Sequence, residues 1–244
     1  MRKLLLTLTA GMVLVILTSA FTFAANGYKD IDAAGTKSLM ENAEALVVFP
    51  LSPIEFDNQH IQGSVNIVME MLEYELPEDK ERVIVFYCLG IKCVASWRAA
   101  EKAVALGYKN VYAFREGIPG WAKAGYPLVT VKPLPDVDVD QITTAQLAAL
   151  LDTDNIILLD INLKEDARKF HINHAKRVHI PLDELNVSVS QLPREKKIVV
   201  ICLKGKRAPT AVKYLIAQGY EDVVMVEGGV QRWVMEGRPV KRVG

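Results

Sequence analysis

The sequence predicts an α/β protein of two tandem domains, each a mainly parallel sheet flanked by helices. Three observations carry that prediction. Short apolar runs of buried-strand length, Ile156-Ile157-Leu158-Leu159-Asp160 and Lys197-Ile198-Val199-Val200-Ile201, alternate with helical patterns such as residues 211–218, stopped by Gly219. Landmarks recur at offsets of 111 or 112 residues: His60-Ile61 with His171-Ile172, Gly107-Tyr108 with Gly219-Tyr220, Trp121 with Trp233, and Gly125-Tyr126-Pro127 with Gly237-Arg238-Pro239. A period this long marks a duplicated domain rather than a solenoid unit. Finally, 244 residues of which 50% are hydrophobic hold enough apolar material for two cores, which excludes a disordered or collagenous chain.

In chain order, residues 1–24 read as a secretory leader. Met1-Arg2-Lys3 supplies the charged start, residues 4–17 the apolar run, and Thr22-Phe23-Ala24 a small-residue cleavage triplet. The alternative is an uncleaved anchor, because residues 4–25 are long enough to span a bilayer. The protein is therefore expected to be exported to the periplasm, or tethered to the membrane facing it. Residues 26–130 form the first domain and residues 141–244 the second. Between them the stretch 131–140, VKPLPDVDVD, has the prolines and alternating aspartates of an extended linker. The second domain opens on a capping box, Thr143-x-x-Gln146, and later carries the short strand Val223–Val226.

Charge gives no global clue to a partner. With 29 Lys+Arg against 29 Asp+Glu, nothing draws the chain to nucleic acid, and membrane contact is expected only if the leader is retained. Any anion site must be local. The cluster His171-x2-His174-x4-His179 has no cysteine or acidic partner at ligand spacing, so neither a metal nor an organic cofactor is expected. Three cysteines, Cys88, Cys93 and Cys202, are too few for a disulfide framework, and each must be read by its surroundings.

Cys202 ends an apolar strand and opens the loop Leu203-Lys204-Gly205-Lys206-Arg207 before a helix. A tight loop there turns successive backbone N–H groups inward, and the helix N-terminus adds to their field. With three cations in the loop, the thiol is expected below the free value of about 8.5 and reactive as thiolate. Cys88 opens the longer loop Cys88-Leu89-Gly90-Ile91-Lys92-Cys93-Val94-Ala95-Ser96, with one cation. Less positive charge predicts a less ionised thiol there. Cys88 and Cys93 form a second candidate site, open to a disulfide or to resolution of a Cys88 persulfide by Cys93.

Residues 198–239, with CLKGKR, Ala211, Gly219-Tyr220, Glu227-Gly228-Gly229, Trp233 and Gly237-x-Pro239, resemble the second half of a rhodanese domain. Asp160-Ile161-Asn162, Asp166 and His171-Ile172 resemble its first half. The first repeat matches through Glu55-Phe56, His60-Ile61-x-Gly63, Asn66-Ile67, Cys88, Gly107-Tyr108, Gly117 and Trp121. Some rhodanese-like proteins also share the Cys-x4-Cys-x2-Ser spacing. The resemblance implies two rhodanese-like domains and a sulfurtransferase activity. Cys202 would be the nucleophile, carrying sulfane sulfur as a persulfide from thiosulfate or a similar anionic donor to a thiol, cyanide or protein acceptor. Leu203, Lys204, Gly205, Lys206 and Arg207 would bind the donor, Arg207 through its planar fork. The family's Asp-Val-Arg becomes Phe49-Pro50-Leu51 in the first repeat, and its arginine becomes Asn162 in the second. The first domain thus reads as degenerate, and the second keeps Asp160 without its usual partner. Two other readings compete. One is a non-catalytic periplasmic sulfur-binding or interaction module. The other is a cysteine-dependent phosphatase or arsenate reductase, disfavoured because four residues rather than five separate Cys202 from Arg207 and no general acid is identifiable.

Overall fold

The computed structural model describes residues 27–242, so the leader expected at residues 1–24 lies outside the described residues. The first domain runs β1 (Lys29–Asp30), α1 (Ala33–Asn42), β2 (Leu46–Phe49), α2 (Pro53–Asn58), β3 (His60–Ile61), β4 (Val65–Asn66), α3 (Leu72–Glu75), β5 (Ile84–Tyr87), α4 (Ala95–Ala105), β6 (Val111–Phe114), α5 (Gly117–Lys123) and β7 (Leu128–Val129). The second repeats it as β8 (Gln141–Ile142), α6 (Thr144–Leu151), β9 (Ile156–Asp160), α7 (Lys164–Lys169), β10 (Phe170–His171), β11 (Arg177–His179), α8 (Leu185–Ser188), β12 (Lys197–Ile201), α9 (Ala208–Ala217), β13 (Val223–Val226), α10 (Gly229–Met235) and β14 (Lys241–Arg242).

Each domain centres on a five-stranded parallel sheet. The first has the order β1-β6-β5-β2-β4, and the second the matching order β8-β13-β12-β9-β11. Small antiparallel ribbons, β3 with β7 and β10 with β14, close the side of each domain. The central strands β5 and β12 are apolar on both faces because helices cover both, as parallel sheets require. Trp121 and Trp233 are buried at equivalent places, their indole N–H groups donating to the carbonyls of Pro127 and Pro239 at 3.0 and 2.9 Å. His60 and His171 are likewise twinned, each Nδ1 lying 2.8 Å from a carbonyl of the preceding helix, Phe56 and Ala167.

The capping box holds. Thr143 Oγ1 accepts from the Gln146 N–H at 3.1 Å while Gln146 Oε1 accepts from the Thr143 N–H at 2.8 Å. Helix α9 starts at Ala208, three residues before the apolar pattern suggests, because Pro209 suits the first turn of a helix, where its missing N–H leaves no bond unmade.

The two domains are locked rather than merely tethered. Ile54 on α2 of the first domain is buried within the core of the second, among Leu159, Ile161 and Leu182. Asp57 O, at the end of the same helix, accepts from the N–H groups of Val131 and Lys132 at 2.8 and 2.9 Å, and Asn58 Oδ1 from that of Leu134 at 2.9 Å. From the other side, the Lys164 N–H at the start of α7 donates to Glu70 Oε1 at 3.2 Å.

Candidate active site

Cys202 sits just past the carboxyl end of β12, where open parallel sheets expose their loops, and Cys88 occupies the same place past β5. Each is pinned through its own carbonyl. The Val230 N–H donates to Cys202 O at 3.0 Å and the Ile118 N–H to Cys88 O at 3.0 Å. The pinning requires glycine at the neighbouring position. Gly229 has φ +61° and a Cβ there would stand 2.0 Å from Cys202 O; Gly117, its counterpart, has φ +55° and would place a Cβ 1.9 Å from Cys88 O.

Around Cys202, the N–H groups of Leu203, Lys204, Gly205, Lys206 and Arg207 donate to no protein acceptor among the described residues. Gly205, with φ +74°, makes the reversal that packs this loop against Gly228. Helix α9 begins directly behind it. Five consecutive donors without partners are costly unless water or an anion takes them, which is the property of an anion-binding loop. The Lys204 and Lys206 side chains are exposed, and Cys202 retains 5% exposure. Beside Leu203 and Lys204 a groove of about 460 Å³ runs toward the β10–β14 ribbon, lined by apolar Phe170, Val234 and Met235 and by the cations Lys169, Lys204 and Arg242.

Arg207 is engaged by carboxylates through two of its three nitrogens. Nε and Nη2 donate to the two carboxylate oxygens of Glu55, in the first domain, at 3.2 and 2.7 Å, and Nη2 also donates to Asp183 Oδ1 at 2.6 Å. Glu55 Oε2 additionally accepts from the Ser52 N–H and hydroxyl at 3.1 and 2.7 Å, so this carboxylate is fixed by its own helix cap. The arginine therefore anchors the base of the cysteine loop to the other domain. Asp160 departs from expectation. A cation for Asp160 comes instead from Arg177 on β11, whose Nε donates to Asp160 Oδ2 at 2.8 Å while Nη2 forms an ion pair with the same oxygen at 2.8 Å. Asn162 completes the shell, its N–H and side-chain amide donating to Asp160 Oδ1 at 3.0 and 2.8 Å.

The first loop also corrects a charge-based expectation. Cys88 is buried, its Sγ 3.5 Å from Ser96 Oγ and 3.5 Å from the Cys93 carbonyl. Its thiol is lowered to about 6, mainly by the hydrogen bond from the Cys93 thiol. The Ser96 hydroxyl and the N–H groups of Ser96 and Gly90 add to this, and together they outweigh burial. Donors aimed at the sulfur do what cations do elsewhere. Cys93 moves the opposite way, raised because it gives its proton to that hydrogen bond and is itself shielded from water. The three cysteines are free. With Cys202→Ser as background, the thiolate absorbance is expected to rise with a midpoint of about 6, and Ser96→Ala is expected to move that midpoint upward. An unmoved midpoint would show that Ser96 plays no part in lowering it.

The rhodanese-like domain model matches twice, over residues 36–124 and 143–236, and the chain belongs to that family. Relatives include a sulfurtransferase of Allochromatium vinosum, 29% identical over 103 residues, spanning 42% of this chain and 94% of that one. A putative sulfurtransferase of Bacillus subtilis, YtwF, is 32% identical over 104 residues, spanning 42% of this chain and 98% of that one. Among solved structures, a rhodanese-related protein from Thermoplasma volcanium is 33% identical with a TM-score of 0.39, covering 43% of this chain and 99% of that one. No helix among the described residues is long and apolar enough to cross a membrane.

Proposed function

We propose that this member of a sulfurtransferase family carries sulfane sulfur on Cys202. The observation that carries the reading is the row of unpartnered N–H groups from Leu203 to Arg207 that begins at the thiol. The Cys202 thiolate attacks the outer sulfur of thiosulfate or a similar anion. The donor's S–S bond breaks and sulfite leaves with the bonding pair. The loop donors hold the negative charge on the resulting persulfide, each such donor contributing up to about 3 kcal/mol where charge develops. An acceptor thiolate or cyanide then attacks the outer sulfur and regenerates Cys202. Lys204 and Lys206 favour an anionic donor, and the groove beyond Lys204, apolar with a cationic rim, suits a larger anionic thiol or a protein segment as acceptor. The reading places this chemistry in an exported protein, from the leader-like residues 1–24. Phosphate-ester hydrolysis is not expected, since the arginine that would clasp a tetrahedral oxyanion is already held by Glu55 and Asp183.

The test is intact-mass and peptide mass spectrometry of reduced protein after incubation with thiosulfate, polysulfide or mercaptopyruvate. The expected result is one added sulfur atom, located on Cys202 and removed by cyanide. Absence of any adduct on Cys202 with all three donors would overturn the assignment.

A further inference from the structure

The first domain contains a pair of thiols that the Cys202 reaction does not use. β5 delivers Cys88, Gly90 turns the chain with φ +125°, and the Cys93 N–H closes the turn on Gly90 O at 2.8 Å, which brings Cys93 back against the Cys88 thiol. Cys88 Sγ lies 3.5 Å from the Cys93 carbonyl, and the hydroxyl of Ser96, buried at the start of α4, stands 3.5 Å from the same sulfur. Above them the loop shows solvent Leu89, Ile91 and Val94, 42%, 75% and 45% exposed, with Lys92 the loop's lone cation. This rim is the opposite of the Lys204 and Lys206 rim over Cys202. It offers little to a dianion and much to an uncharged, apolar group.

We propose that Cys88 and Cys93 form a second reaction centre that takes sulfane sulfur from low-charge organic hydropersulfides and discharges it as sulfide. In the first step the Cys88 thiolate attacks the outer sulfur of R–S–SH. The donor's S–S bond breaks, RS⁻ leaves, and Cys88 becomes a hydropersulfide. In the second, Cys93 attacks Cys88 Sγ. The Cys88 persulfide bond breaks with its electron pair going to the outer sulfur, which leaves as hydrosulfide and takes up the proton Cys93 gives up, as hydrogen sulfide. The sulfane sulfur is reduced by two electrons, and the two thiols are oxidised to one disulfide. A dithiol reductant then returns the pair for another cycle. The lowered Cys88 thiol suits the first, nucleophilic role.

The test uses the full chain carrying Cys202→Ser, reduced, freed of reductant and kept anaerobic, with tert-butyl hydropersulfide as donor. One equivalent of sulfide is expected per chain, with loss of two hydrogens from the intact mass and a Cys88–Cys93 disulfide in the peptide map. Adding Cys93→Ser is expected to stop sulfide release and leave one sulfur atom on Cys88. Adding Cys88→Ser is expected to abolish both signals. Thiosulfate is expected to react far more slowly than the hydropersulfide. Retention of the sulfur without disulfide in the Cys202→Ser protein, undiminished sulfide release after Cys93→Ser, or equal reaction with thiosulfate would each overturn the proposal. Should Cys93→Ser fail to fold, Cys93→Ala and the sulfide-to-disulfide ratio of the Cys202→Ser protein alone decide between the same outcomes. Because Cys202 is absent throughout, failure of this pair to react leaves the Cys202 reading intact.

Discussion

Cys202→Ser is expected to reduce sulfite release from thiosulfate to the uncatalysed background, while Cys88→Ser keeps most of it. The reason lies in the atom and in the loop. A serine hydroxyl is scarcely ionised near neutral pH and forms no stable bond to sulfane sulfur, so the loop donors from Leu203 to Arg207 would face a group that cannot accept the transferred atom. Cys88 belongs to a separate sheet and a separate core cluster, buried beneath a rim with a single cation, so its loss leaves the second loop unaltered. The measurement is initial-rate sulfite release for both variants, with circular dichroism to confirm that each is folded. Equal loss from the two substitutions would mean that the second domain does not carry the reaction alone.

What sequence reasoning recovers and what it misses divide along a physical line. The strands β9 and β12 are legible because a parallel strand buried on both faces is an uninterrupted apolar run, and Ile156–Asp160 and Lys197–Ile201 are such runs. The capping box at Thr143 is legible because its partners stand three residues apart. The cations of the site are another matter. Arg177 meets Asp160 across 17 residues through the β9–β11 register, and Arg207 meets Glu55 across 152 residues through packing of two domains. Neither separation is a local period, so no pattern in the chain marks it. The repeat offers one hint for the second: Glu55 is a charged residue beside the apolar Ile54 and Phe56, a place where burial would demand a partner. Counting cations around Cys88 fails for a different reason. It omits the uncharged donors, the Cys93 thiol, the Ser96 hydroxyl and two N–H groups, which become visible only when the turn at Gly90 is known.

Arg207→Met is expected to cost about 3–5 kcal/mol of stability near neutral pH, the range for breaking a buried ion pair from one side. The methionine fills similar space but leaves Glu55, 2% exposed, and Asp183, 7% exposed, facing each other without a cation. Asp183 Oδ2 already has no partner, so the cluster has no spare donor to offer in compensation. The loss should depend on pH in a definite direction. Burial raises the Asp183 carboxyl above its ordinary range, with the Arg207 charge opposing that rise. A carboxyl raised on folding binds its proton more tightly in the folded state, so its contribution is favourable in acid and is lost as pH climbs through the folded value. Removing Arg207 removes the opposing influence, raises Asp183 further and widens that window. Urea unfolding should therefore show the variant most destabilised in mildly alkaline buffer and partly restored in mildly acidic buffer, where wild type gains less. Adding Asp183→Asn should recover part of the alkaline loss by removing one of the stranded charges. Sulfite release should fall as well, since the arginine that ties the end of the Cys202 loop to the first domain would be gone while Cys202 itself is untouched. A destabilisation equal at both pH extremes would mean that lost packing around the side chain, rather than the two carboxylates, decides the outcome.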